Sequence, residues 1–133
     1  MQKSINHIYL IILISVLSSV APMGVDTYIP SIPEIAKYFE VDIHKIELSL
    51  SIFLIGFSIG QIFGGPISDR YGRRFGSILG LLGYAFFSFL IIFSSTVYEL
   101  WFYRFLEAFF GGITVVNASA SVRDRFKRQD AAK

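Results

Sequence analysis

Apolar residues along this chain do not alternate. They come in four long runs, about 8–29, 46–67, 75–93 and 100–122, parted by short polar or turn-forming links. A helix needs about 20 mostly apolar residues to cross a bilayer, and each run meets that length. The pattern therefore predicts an all-α integral membrane protein of four transmembrane helices, followed by a polar tail over 123–133. Pro30 and Pro33 need not end the first helix, because freed carbonyls can be satisfied by neighbours in a bundle. The segment from Glu34 to Phe39 would then carry it out of the bilayer.

Composition points the same way. The chain has 133 residues, 53% of them hydrophobic, and a mean hydropathy of +0.58, well above an ordinary soluble domain. Its 14 Phe lie mostly inside the runs, which implies contact with membrane lipids. A net charge of +2 offers no basic field, so no nucleic-acid partner is expected. There is no Cys, and His7 and His44 are far apart, so no metal site is expected. Nor does any acid, base and nucleophile set point to an enzyme. Lys3 followed by apolar residues and Ser19-Val20-Ala21 imitates a cleavable leader. Pro22 directly after that point, and an apolar run that continues past it, argue for a retained first span.

Where the cations lie sets the orientation. Lys3, Arg70, Arg73, Arg74, Arg123, Arg125, Lys127, Arg128 and Lys133 fall on one side, against Lys37 and Lys45 on the other. Both termini are thus expected in the cytoplasm. The segment from Pro30 to Lys45 and the link Ser95-Thr96-Val97-Tyr98 are expected outside. Tyr9, Tyr28, Tyr38, Tyr98, Trp101 and Tyr103 sit near span ends as an aromatic belt.

Small residues show how the helices pack. Gly56, Gly60 and Gly64 repeat every fourth position in the second run, a stripe on which another helix can approach closely. Gly76, Gly80 and Gly83 repeat the device more loosely in the third. Gln61 and Asn117 read as interhelical hydrogen bonders. Between the second and third runs lies Gly65-Pro66-Ile67-Ser68-Asp69-Arg70-Tyr71-Gly72-Arg73-Arg74. The positive-inside rule accounts for Arg70, Arg73 and Arg74. It does not account for Asp69, an acid at a helix end that already carries partial negative charge. A nearby arginine or another helix's N-terminus must offset it. Gly65 would permit close approach there, and Gly72 a positive φ.

Three ionisable residues fall within the runs: Asp26, Arg104 and Glu107. Charge in hydrocarbon is costly, so each should face a cavity or a partner. At a rise of about 1.5 Å per residue, Asp26 lies roughly 27 Å from the cytoplasmic side and Arg104 roughly 9 Å below the outer surface. Both depths fall in the outer half of the bilayer, which permits a shared cavity. Pro22 and Pro30 flank Asp26 by one turn on either side, as suits a bent helix along an aqueous path. A carboxylate there has a proton affinity that responds to a nearby cation or substrate. Glu107, three residues after Arg104, is placed to pair with it on one helix face.

These residues bring out a family resemblance. The segment Asp26-Thr27-Tyr28-Ile29-Pro30-Ser31-Ile32-Pro33, the Gly65–Arg74 segment, and Arg104-Phe105-Leu106-Glu107 with Asn117 to Asp124 resemble the first helix, signature loop and fourth helix of major facilitator superfamily drug/proton antiporters. The nearest likeness is to the bicyclomycin and chloramphenicol resistance group. It implies helices 1–4 of a twelve-helix fold, the N-terminal third of a multidrug efflux transporter in a bacterial inner membrane. It also implies proton and substrate handling at Asp26, proton coupling at Arg104, and a conformational lock made by Asp69 and Arg73 on a helix of the C-terminal half. The coupling ion would be the proton, with no cofactor, and the substrate an amphipathic small molecule. Where the group has Gln then Gly after the arginine, this chain has Glu107 and Ala108, which adds an acid beside Arg104.

Such a third would lack the half against which it moves, so the chain alone is not expected to transport. Two other readings stay open. One is a small oligomeric four-helix membrane transporter. The other is a membrane-anchored regulator that uses the basic tail on anionic lipids.

Overall fold

The computed structural model describes residues 2–130, and side chains over 8–121 apart from those of 10, 13, 20 and 21. Helix α1 spans Gln2–Tyr28, and a 3₁₀ turn at Ile29–Ser31 leads into the short α2, Ile32–Tyr38. Then come α3, Ile43–Tyr71, α4, Arg73–Ile91, and α5, Val97–Asp130. Among the described residues there is no strand. The four expected runs thus correspond to α1, α3, α4 and α5. Among the described residues, α3 and α4 are long and apolar enough to cross a membrane by length and composition.

The boundaries differ from expectation in ways that have physical causes. The first helix does not run smoothly past its prolines. Pro30 falls in the 3₁₀ turn and Pro33 at the start of α2, where a missing N–H costs nothing. The segment between the first two long helices is accordingly mostly helical, with only residues 39–42 connecting α2 to α3. Glu40 sits there at φ 53, and Asp42 caps α3 by accepting the His44 N–H at 2.9 Å. The link before α5 is residues 92–96, since Val97 and Tyr98 already belong to the helix.

The largest revision concerns the Gly65–Arg74 segment. It is not a loop. Pro66 is accommodated within α3, and Asp69 and Arg70 lie in that helix's last turn. Gly72 alone is non-helical, at φ 91 and ψ 150, a region open essentially to glycine. Its N–H closes α3 on the Ser68 carbonyl at 2.9 Å, and its carbonyl opens α4 by accepting from Gly76 at 3.2 Å. One residue therefore ends one helix and starts the next. Gly65, expected at a close approach, has open space around it. Gly64 is the residue packed tightly at that level, against Ile113 and Val116.

Helix α5 is the central element, packed against α3, α4 and α1. The glycines explain how. A Cβ at Gly56, Gly60 or Gly112 would strike the main-chain carbonyls of Phe105, Phe109 and Phe57 respectively, so α3 and α5 touch backbone to backbone. Gly76, Gly80 and Gly83 instead make room for the side chains of Asn117, Thr114 and Phe110 of α5. The Gly56–Gly60–Gly64 stripe is thus used inside the chain. Asn117 is buried but bonds within its own helix, to the Ile113 carbonyl at 2.8 Å, and Gln61 is exposed. Outward faces of α3 and α4 carry exposed Leu54, Ile55, Ile62, Phe63, Leu82, Phe86 and Phe89, the surface of a helix bundle solvated by hydrocarbon rather than water.

Candidate functional site

The break after Tyr28 is what builds the site. By turning into α2, the chain roofs a cleft between α1 and α4 whose floor is α5. The resulting cavity is about 890 Å³, lined among others by Met23, Gly24, Thr27, Tyr28, Tyr84, Ser88, Arg104 and Glu107, with Glu34 and Tyr38 contributed by α2. Gly24 lies against the Tyr84 hydroxyl, which lets α1 approach α4.

Arg104 and Glu107 are each 3% exposed. The Arg104 Nη1 donates to Glu107 Oε2 at 2.9 Å, and Ser88 of α4 adds a hydrogen bond to the same carboxylate. The guanidinium lies against two rings: its carbon is 3.8 Å from the Tyr28 ring centre and 4.8 Å from that of Phe53. Each such contact is worth up to about 2 kcal/mol when desolvated, so the rings offset part of the cost of burying the cation. The Ser49 hydroxyl gives its proton to the Ile46 carbonyl at 2.5 Å. It therefore accepts from the Tyr28 hydroxyl, 2.7 Å away. Tyr28 in this way ties α1 to α3 through its hydroxyl and to α5 through its ring. Arg104 Nε and Nη2 have no hydrogen-bond partner among the described residues.

Asp26, expected to share this cavity with Arg104, does not line it. It is exposed, because Gly24, Thr27, Tyr28 and Ser31 occupy the cavity side of the helix and its break. Arg104 and Glu107 are brought together as their spacing implied. Tyr28, read from sequence as a belt residue, is instead the central contact of the floor. Phe53, Ser49, Tyr84 and Ser88 carried no sequence signal, since a Phe or Ser in an apolar run has no distinguishing spacing.

The second group of singled-out residues lies at the α3–α4 junction. Arg73 Nη2 pairs with Asp69 Oδ1 at 2.8 Å, and its Nη1 donates to the Ser68 Oγ at 2.7 Å. The acid at the end of α3 is thus offset by a base on the first turn of α4, bridging Gly72. Arg70 lies over the Tyr71 ring at 5.6 Å. Arg74 is exposed. The side chains of Lys3 and of 123–133, which carry most of the charge bias and the basic tail, lie outside the described residues.

Residues 14–133 match the family model of the Major Facilitator Superfamily. The chain belongs to that superfamily. As a major facilitator protein it is a membrane protein of a transporter family. It is 32% identical over its full 133 residues to a bicyclomycin resistance protein homolog of Haemophilus influenzae, of which it covers 33%. Over 128 residues it is 35% identical to YdgK, an uncharacterized transporter of the superfamily from Bacillus subtilis, covering 96% of this chain and 32% of that protein. An uncharacterized transporter of Rickettsia bellii is 32% identical over 111 residues, 84% of this chain and 28% of the relative. The chain spans about a third of the length of these relatives. No solved structure matches it. Its four long helices thus correspond to the first four helices of that fold.

Proposed function

We propose that the chain is the N-terminal part of a proton-coupled multidrug efflux transporter of a bacterial inner membrane. In this reading α1, α3, α4 and α5 each cross the bilayer and both termini are cytoplasmic. The observation that carries it is the buried Arg104–Glu107 pair on the floor of a large, mostly apolar cavity. A fixed charge pair at such depth is expensive, and its cost is understandable where amphipathic molecules and protons are handled. The name of the Haemophilus relative adds bicyclomycin as a substrate to try.

Arg104 and Glu107 are the coupling groups at the cavity floor. Asp26, on the far side of α1 from Tyr28, handles protons from outside that cavity. Gly65, Asp69, Arg70, Gly72, Arg73 and Arg74 form the switch segment, whose partner is the C-terminal remainder of the transporter. The 133 residues neither catalyse a reaction nor transport alone, and the proton gradient is the only coupling agent.

Co-expression tests this. The chain is paired with the complementary C-terminal portion of a relative in cells lacking their own exporters, and bicyclomycin accumulation is followed. The pair should lower accumulation, a protonophore should abolish the effect, and the chain alone should have none. Accumulation unaffected by the pair, or lowered equally with the protonophore present, overturns the reading.

A further inference from the structure

Arg104 is anchored by one hydrogen bond. Its Nη1 donates to Glu107, while Nε and Nη2 have no acceptor among the described residues. One bond leaves the plane of the guanidinium free to turn about it. Two ring faces, those of Tyr28 and Phe53, fix that plane. Phe53 is buried on α3 and stacks on Phe57, so the packed bundle holds it. Tyr28, the closer ring, is the last residue of α1 and only half-buried. Its ring is held through its hydroxyl, which donates to Ser49, itself bonded to the Ile46 carbonyl. Ser49 and Phe53 are one turn apart on α3, so the same helix supplies one ring and tethers the other.

The tether matters most when Glu107 is uncharged. A charge-assisted hydrogen bond is about twice as strong as a neutral one, so a proton on the acid roughly halves the hold of the only polar anchor. The attraction of a cation to a ring face does not depend on that acid. Among the described residues, the other titratable groups lining the cavity are Glu34 and Tyr38 of α2 and Tyr84 of α4. None of them supplies Nε or Nη2 with an acceptor. We propose that Tyr28 is a positioning residue: tethered to Ser49, its ring keeps the Arg104 guanidinium in place while Glu107 carries a proton. This rests on Arg104 and Glu107 being the coupling groups, as proposed above.

The test reads Arg104 itself. The full chain, carrying isotope-labelled arginine, is followed by NMR in lipid nanodiscs, and Arg104→Lys identifies the Arg104 Nε–H signal. A proton over a ring face is shielded, so this signal should lie upfield of that of the exposed Arg74. Glu107→Gln, a neutral stand-in for the protonated acid, should leave it there. Adding Tyr28→Phe, which keeps the ring and removes only the tether, should move it back toward Arg74. Adding Ser49→Ala to Glu107→Gln should do the same. Loss of the upfield position in Glu107→Gln alone means that the rings do not hold the guanidinium. An upfield signal in both double variants means that the tether is irrelevant. Either result overturns the proposal. Circular dichroism identifies any variant that has lost its helices. If Glu107→Gln is one, Tyr28→Phe alone decides: exchange of the Arg104 Nε–H with water should quicken about fivefold, and an unchanged rate overturns the proposal. No efflux from the co-expressed pair would overturn the coupling reading instead, because the NMR signals do not depend on transport.

Discussion

Arg104 and Glu107 share one turn of α5 at 2.9 Å, with 4% of each side chain exposed. Neither charge can be removed alone without stranding the other in a low-dielectric setting. Glu107→Ala should therefore destabilise the bundle by about 3 kcal/mol. Arg104→Met combined with Glu107→Leu should cost much less than the two single changes together. Unfolding in mixed micelles, arranged as a double-mutant cycle, measures both quantities. Additive losses would mean the pair is not coupled as its geometry implies.

Gly60 and Gly65 lie five residues apart on α3 and should respond oppositely. At Gly60 a Cβ meets the Phe109 main chain, whereas Gly65 faces open space. Gly60→Leu should cost about 1–3 kcal/mol by prising α3 from α5. Gly65→Ala should be neutral or add roughly 0.5–1 kcal/mol through helix propensity. The same micelle unfolding assay ranks them.

Gly72 holds φ 91 with ψ 150. This is not the left-handed helical region, where asparagine serves nearly as well as glycine. Gly72→Ala and Gly72→Asn should both cost about 1–3 kcal/mol. An asparagine variant as stable as the parent would mean the junction had adopted a left-handed cap instead.

His44 is fully exposed at the start of α3, with its Nδ1 2.9 Å from Glu47. The hydrogen bond to Glu47, helped by the charge of Asp42, raises its pKa above the ordinary 6.5. A raised value stabilises the folded chain below the unfolded pKa, and that contribution fades as pH climbs through the folded one. An NMR titration should place His44 above 6.5, and Glu47→Gln should bring it back toward that value. A titration unmoved by the substitution would assign the shift elsewhere.

Much of this was legible in one dimension. Run length alone located α1, α3, α4 and α5, because hydrocarbon thickness dictates helix length. The i,i+3 spacing placed Glu107 beside Arg104, since a helix has one geometry. Glycines every fourth position marked α3 as a packing helix for the same reason, and Asp69 found its base within one turn.

The partners across helices were not legible. Asp26 carries the stronger sequence signal, yet Tyr28, two residues on, is the one that reaches Arg104. Which face of α1 turns inward depends on how Gly24 seats against Tyr84 and on the 3₁₀ break at Ile29–Ser31, both products of tertiary packing. Likewise the stripe of Gly56, Gly60 and Gly64 names no partner; only the bundle matches it to Phe105, Phe109 and Ile113. Helix length, periodicity and near-neighbour pairing are local consequences of backbone geometry, so the order of residues already contains them. Helix rotation and the cavity floor follow from contacts between residues distant in the chain, and emerge once the helices have packed.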